Sequence, residues 1–252
     1  MKLIDLSTAI DPAVQDPLPF SLTYQSHEEG AQNIGPRLFG VEPDAFPEGR
    51  GLAGETVSLT GHAGTHVDAP WHYWPTSEGR PARTIDQLPL EWFYSDGVVL
   101  NFTDKPAGYE ISAADLQQQL AAIGYQLKPF DIVLLRTDAS KRMYEKDYAQ
   151  SHAGASAQAT RWLIGQGIRV MGIDAWGWDI PLSFQAADYK SNPRDGVLWA
   201  AHYVGKDHEY SQIEKLANLD LLPDFGFKIS VFPVKLKGGS AGWTRAVAFV
   251  ED

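Results

Sequence analysis

Short apolar runs alternate along the chain with polar stretches that glycine and proline punctuate, and most of the expected elements follow from that rhythm. Residues 3–6 read as a short strand, and Thr56-Val57-Ser58-Leu59 alternates as a second one. Residues 98–102 and 132–135 are apolar runs short enough to be buried strands. Ser112 opens a helix, with Asp115 three residues on in a capping-box arrangement, Leu116 and Leu120 on one face and Gly124 as the stop. A second helix is expected from about Ser156 to Gln166, closed by Gly167, and it feeds a strand over 168–173. Strand, helix, strand in that order implies a parallel crossover unit. A short helix over 194–203 should carry His202, residues 229–232 and 246–249 supply two closing strands, and 237–242 between them is a turn-rich loop.

One segment breaks the rhythm. Between about residues 8 and 54 the chain carries Pro12, Pro17 and Pro19 and little periodicity, so a long irregular arm is expected on a single domain spanning 1–252. Phe20, Tyr24, Phe39 and Phe46 give the arm aromatic material to bury, as a pocket lid, a subunit contact or a surface wrap.

Composition narrows the classes. The 252 residues are 44% hydrophobic and 21% charged, the profile of a globular chain with one substantial core. A net charge of −11 without a Lys/Arg block argues against nucleic-acid binding. No run approaches the ~20 apolar residues a bilayer span needs, so a cytoplasmic protein without a membrane partner is expected. With no cysteine in the chain, any metal must be held by His, Asp or Glu.

Three of the seven histidines fall within His62-Ala63-Gly64-Thr65-His66-Val67-Asp68-Ala69-Pro70-Trp71-His72. Imidazole and carboxylate suit Zn²⁺ or Mn²⁺, at about 2.0–2.2 Å from the ion. On a straight strand His62 and Asp68 would stand roughly 20 Å apart, so the chain must curl. Gly64 and Pro70 are placed to turn it. His62, His66 and Asp68 form the natural ligand set, and His72, past the proline, faces the substrate as a proton carrier. A nucleophilic hydroxyl from Thr65 or Ser240 is the weaker option, because neither lies in a nucleophile elbow.

His-x-Gly-Thr-His-x-Asp-x-Pro-x-His resembles the signature of the metal-dependent cyclase-like hydrolases, which include kynurenine formamidases and isatin hydrolases. Residues 3–7, 172–174 and 245–247 extend the resemblance over most of the chain. It implies an α/β fold of the swivelling β/β/α type, a mixed sheet core flanked by helices, assembled as a homodimer or homotetramer. It also implies that His202 and Glu214, twelve positions apart as in kynurenine formamidases, complete the site, Glu214 as a metal ligand and His202 as a ligand or acid/base partner. Isatin hydrolases use another residue at the glutamate position and one ion, so Glu214 points to two ions, whereas the long arm resembles the isatin hydrolases.

Trp71, Trp176 and Trp178 are candidates to wall a flat substrate, although Trp176 and Trp178 could instead pack on the arm. Asp174 and Asp179 are read as orienting neighbours rather than binding metal, and Arg245 either anchors a carboxylate or sits on the surface. A divalent ion, one or two per chain, polarises an amide carbonyl and lowers the pKa of water. The expected activity is hydrolysis of a small cyclic amide; an aryl formamide such as N-formylkynurenine, or a non-catalytic metal-binding role, is the alternative.

Overall fold

The computed structural model describes residues 1–18 and 20–251. Residues 1–17 with 61 onward form one compact unit, and 18–60 form another. The first is built on a nine-stranded sheet of β1 (Lys2–Asp5), β2 (His66–Asp68), β3 (Tyr94–Asn101), β4 (Ile132–Arg136), β5 (Val170–Ile173), β6 (Ser211–Glu214), β7 (Phe227–Ser230), β8 (Ala241–Trp243) and β9 (Val247–Val250). Its order is β1-β9-β7-β3-β4-β5-β6-β2-β8. β3, β4, β5 and β6 run parallel in the middle, and antiparallel strands extend both sides. This is the mixed α/β architecture the resemblance implied.

Central parallel strands are covered on both faces, which explains why they read as unbroken apolar runs. On one face Val98, Leu100, Val133, Leu135, Met171 and Ile173 pack with Leu116 of the Ala113–Ile123 helix and Leu163 of the Ala157–Gly165 helix. Their alternates Val99, Ile132, Leu134 and Val170 pack on the other face with Ile85, Trp92 and Phe93. Both helices start where expected. Ser112 and Asp115 form the reciprocal cap, a motif whose N-cap contributes about 1 kcal/mol, and Gly124 ends the helix in the left-handed region at φ +67°.

Three expectations fail. Residues 194–201 are not helical; the turn there is a 3₁₀ segment at His202–Lys206, preceded by an α-helix at Leu182–Ser191. The glycine-rich loop contains β8, which pairs with β2, because small residues allow an edge strand to approach closely. The arm is not irregular: Ser21–Gln25 pairs antiparallel with Gly54–Ser58, and His27–Ile34 is a helix with a Ser26/Glu29 capping box. Tyr24 and Phe39, expected to be buried, are exposed. Among the described residues no helix is long and apolar enough to cross a membrane.

Candidate metal centre

Alternation along β2 puts His66 and Asp68 on one face of the strand and Val67, in the apolar core, on the other. β6 lies beside β2 with Glu214 in register opposite His66, which brings a third candidate ligand to the same face. His62 reaches the cluster through a curl at Gly64, whose φ of +59° is the left-handed region that suits glycine. Pro70 begins the single-turn helix Pro70–Tyr73 and swings His72 back over Asp68.

Asp68 is the centre of the result. His62 Nδ1 lies 2.9 Å and His66 Nε2 3.2 Å from its Oδ1, while His202 Nε2 lies 3.8 Å and His72 Nε2 3.9 Å from its Oδ2. Glu214 spans the same space, Oε2 standing 3.5 Å from His66 Nε2 and Oε1 3.5 Å from His202 Nε2. The cluster therefore unites all six residues expected to ligate or catalyse. Two subsets could each hold an ion, His66 with Asp68 and Glu214, and His62 with Asp68 and His72. His72 thus stands closer to the ligands than the expected role required.

The far nitrogens of the rings differ. His66 Nδ1 donates to the Gly64 carbonyl at 2.8 Å, and His202 Nδ1 donates to Asp179. Those acceptors keep a proton on Nδ1 of both rings, so in the neutral form each ring presents its Nε2 lone pair to the carboxylates. His62 Nε2 meets the Ser240 hydroxyl at 3.1 Å. Among the described residues no hydrogen bond fixes the second nitrogen of His72. A metal-binding histidine almost always has its other nitrogen tied to an acceptor, a pattern His66 and His202 meet, His62 approaches, and His72 does not.

Fit to a cation can be tested on the buried atoms. His66 Nε2 and both oxygens of Asp68 are buried with no aligned hydrogen bond. A lone pair facing carboxylate oxygens at these distances is repulsive unless a positive charge lies among them, so the donor set suits a divalent ion. Burial opposes ionisation of Asp68, but the surrounding histidines hold its carboxyl well below the usual carboxylate range. Burial and the Asp68 charge raise Glu214, whose Oε1 also accepts the Trp178 N–H at 2.9 Å.

Supporting residues surround the cluster. Asp179 accepts from the Ala201 N–H at 2.8 Å as well as from His202, and Asp174 accepts from Thr137 N and Oγ1 at 2.7 Å, so both orient neighbours as expected. Lys215, 3% exposed and at φ +58°, donates from Nζ to the His62 carbonyl at 2.9 Å and to Asp16. Nothing in the local pattern singles it out, because its partners lie 153 and 199 residues upstream. Arg245 is exposed and paired with Asp5 at 2.7 Å.

Of the three tryptophans, only Trp71 is well exposed, at 46%. Trp176 is partly buried and donates to Asp16 at 3.1 Å. Trp178 cannot wall a substrate: its ring is fully buried in the core and donates to Thr160 at 2.9 Å, because the chain bends after β5 and Glu214 holds the Trp178 N–H.

The curled mixed sheet is shared with solved isatin hydrolases. The profile of the Putative cyclase family matches residues 4–180, and the chain belongs to that family. It is 25% identical over 191 residues to the kynurenine formamidase of Erythrobacter litoralis (strain HTCC2594), covering 76% of this chain and 74% of that protein. It is 26% identical over 212 residues to the isatin hydrolase of Roseibium aggregatum, covering 81% and 77%. Isatin hydrolase A from Labrenzia aggregata, solved with benzyl benzoate, superposes with a TM-score of 0.76 at 25% identity over 100% of this chain and 94% of that one. These relatives are hydrolases. The family match ends before His202 and Glu214, whose place here rests on the geometry.

Proposed function

We propose that this chain is a metal-dependent hydrolase that cleaves the amide C–N bond of a small cyclic amide of the isatin or lactam type. The observation that carries this reading is the convergence of His66 Nε2 and both Asp68 oxygens, buried and unaligned with any donor, beside Glu214. His62 and His66, both on the Oδ1 side of Asp68, would hold one Zn²⁺ or Mn²⁺ with it, and Asp68 with His202 and Glu214 would hold a second. His72, near enough to ligate with His62 and Asp68, is left out because no hydrogen bond among the described residues ties its second nitrogen. A bound ion of this kind supplies carbonyl polarisation and a lowered pKa for water.

The protein's own groups do the rest. His72 reaches solvent and lacks a fixed second nitrogen, so it can turn between partners. Burial, against the pull of Asp68, and the neighbouring histidines push it down to about 4. Its ring is then neutral at pH 7, the form that accepts a proton from the attacking water at Nε2 and returns it to the departing nitrogen. Asp179 keeps a proton on His202 Nδ1, which leaves Nε2 as the atom that can meet an ion, and Ser240 steadies His62.

A second reading, an aryl formamidase, is supported by Glu214 lying directly across the ladder from His66, where a carboxylate can join two ions. Metal content and turnover on a panel of isatin, lactams, imides and formanilides test both. Loaded protein should bind about two ions per chain, and Glu214→Gln should drop this toward one, leaving the His62, His66 and Asp68 ligands least affected. Wild-type protein with one ion under saturating metal would remove the two-ion scheme, and tight metal binding without turnover on any amide would leave a binding protein.

A further inference from the structure

Trp199 is absent from every motif in the sequence, yet it carries the most constrained aromatic backbone near the site. Its φ is +56°, in the left-handed region that a bulky aromatic residue rarely occupies. The conformation is held from two sides. The buried Gln185, 3% exposed, accepts the Trp199 N–H at 2.7 Å and anchors its own amide on the Ile180 carbonyl at 2.6 Å. The Trp199 carbonyl accepts the Tyr203 N–H at 2.9 Å, one turn on. Strain of this kind, of order 1–3 kcal/mol, persists only where the surroundings over-determine it, and such positions gather at ligand sites.

The strained backbone has a visible result. The indole meets the His202 ring edge-on, with centroids 4.8 Å apart at 71°. Two other rings meet His202 in the same way, His72 at 5.6 Å and Tyr73 at 5.5 Å. Tyr73 is buried, whereas His72 is exposed and Trp199 partly exposed, so these two are the ring contacts of His202 that solvent reaches, and His202 itself is 4% exposed.

We propose that Trp199 is the specificity-determining residue of the centre, an indole wall that selects substrates whose amide is attached to a flat aromatic group. The proposal rests on the metal-centre reading above and narrows its substrate class to aryl amides. Aromatic rings favour edge or offset contacts with an indole, beyond the apolar area they bury, and an aliphatic amide gains neither.

A pair of inhibitors isolates the ring from the chemistry. Benzohydroxamate and acetohydroxamate chelate a metal through the same two oxygens and differ in the phenyl group, so their affinities for Mn²⁺-loaded protein, measured by calorimetry, report the wall independently of turnover. Wild-type protein should favour benzohydroxamate roughly tenfold or more. Trp199→Gly removes the ring and accommodates the positive φ without strain, so the backbone there need not rearrange, and Trp199→Phe checks for loss of packing alone. It should bring the ratio close to one while leaving acetohydroxamate affinity and metal content unchanged. Trp199→Phe should restore most of the preference, and Gln185→Leu should lower it without touching the ring. A preference that survives Trp199→Gly, or none in the wild type, overturns the wall while the metal centre stands. If neither hydroxamate binds, the metal reading fails and the wall falls with it.

Discussion

His72 and His202 stand at nearly the same distance from the same oxygen, 3.9 and 3.8 Å from Asp68 Oδ2, and are driven in opposite directions. His72 is pushed down to about 4 by burial and its histidine neighbours, against the pull of Asp68. His202 is buried more deeply, which also disfavours its charge, yet Asp179, bonded to its Nδ1, together with Glu214 and Asp68 lifts it to about 9. Proximity to the central carboxylate therefore does not set a histidine's role here. What lies on the far side of the ring separates the two: a carboxylate holds His202 and no hydrogen bond among the described residues holds His72, the difference that the proposed split between ligand and proton carrier requires.

The contrast can be broken most forcefully at His72. His72→Ala should lower turnover by roughly 10²–10⁴-fold while ion content per chain holds. Should the ions leave with the activity, His72 belongs with the ligands and the contrast collapses.

Asp179→Asn comes next. It keeps one acceptor oxygen for His202 Nδ1, gives up the one that serves the Ala201 N–H, removes the charge, and should weaken binding of the ion on the His202 side by roughly 10–100-fold, read by competition with a chelator. The same change has a pH signature in metal-free protein. His202, raised from 6.5 to about 9, lends stability that is fully present below pH 6.5 and is lost as pH rises through 9, about 3 kcal/mol in all. His72, lowered to about 4, acts in the other direction, with stability lost as pH falls from 6.5 through 4. Urea titrations across pH should show the alkaline loss in the wild type and little of it in Asp179→Asn; an unchanged alkaline limb would mean that Asp179 does not control His202.

The smallest effect sharpens the same comparison. Ser240→Ala takes a neutral hydroxyl from His62, and a hydrogen bond of this type contributes about 1 kcal/mol, so metal affinity should fall by roughly fivefold. A loss as large as that from Asp179→Asn would show that a hydroxyl orients the ring as firmly as a carboxylate.

How much of this was legible in the sequence follows from how local each signal is. The curl from His62 to His72 could be read because its turning residues, Gly64 and Pro70, lie between the ligands they bring together. The capped helix at 113–123 and the parallel strands were readable for the same reason. His202 and Glu214 needed a family resemblance, since their partners lie about 140 residues upstream. The Leu182–Ser191 helix stayed hidden because Phe184 falls on the face opposite Leu182 and Tyr189, so no single apolar stripe forms, and all three remain exposed. Trp178 was misassigned because strand-end position fixes where a residue lies and not which way its ring turns. Trp199 left no trace at all, since a positive φ in a tryptophan is imposed by a distant glutamine.

β2 lies between β6 and β8, strands encoded some 140 to 170 residues after it. During synthesis the His62 to His72 segment leaves the ribosome long before either neighbour exists, so Asp68 meets its full set of partners only when residues past Trp243 have emerged. Pairings this distant in sequence are slow to form. A nascent chain would therefore hold only a loose cluster of ligands, and metal selection would fall to the finished sheet rather than to the growing polypeptide.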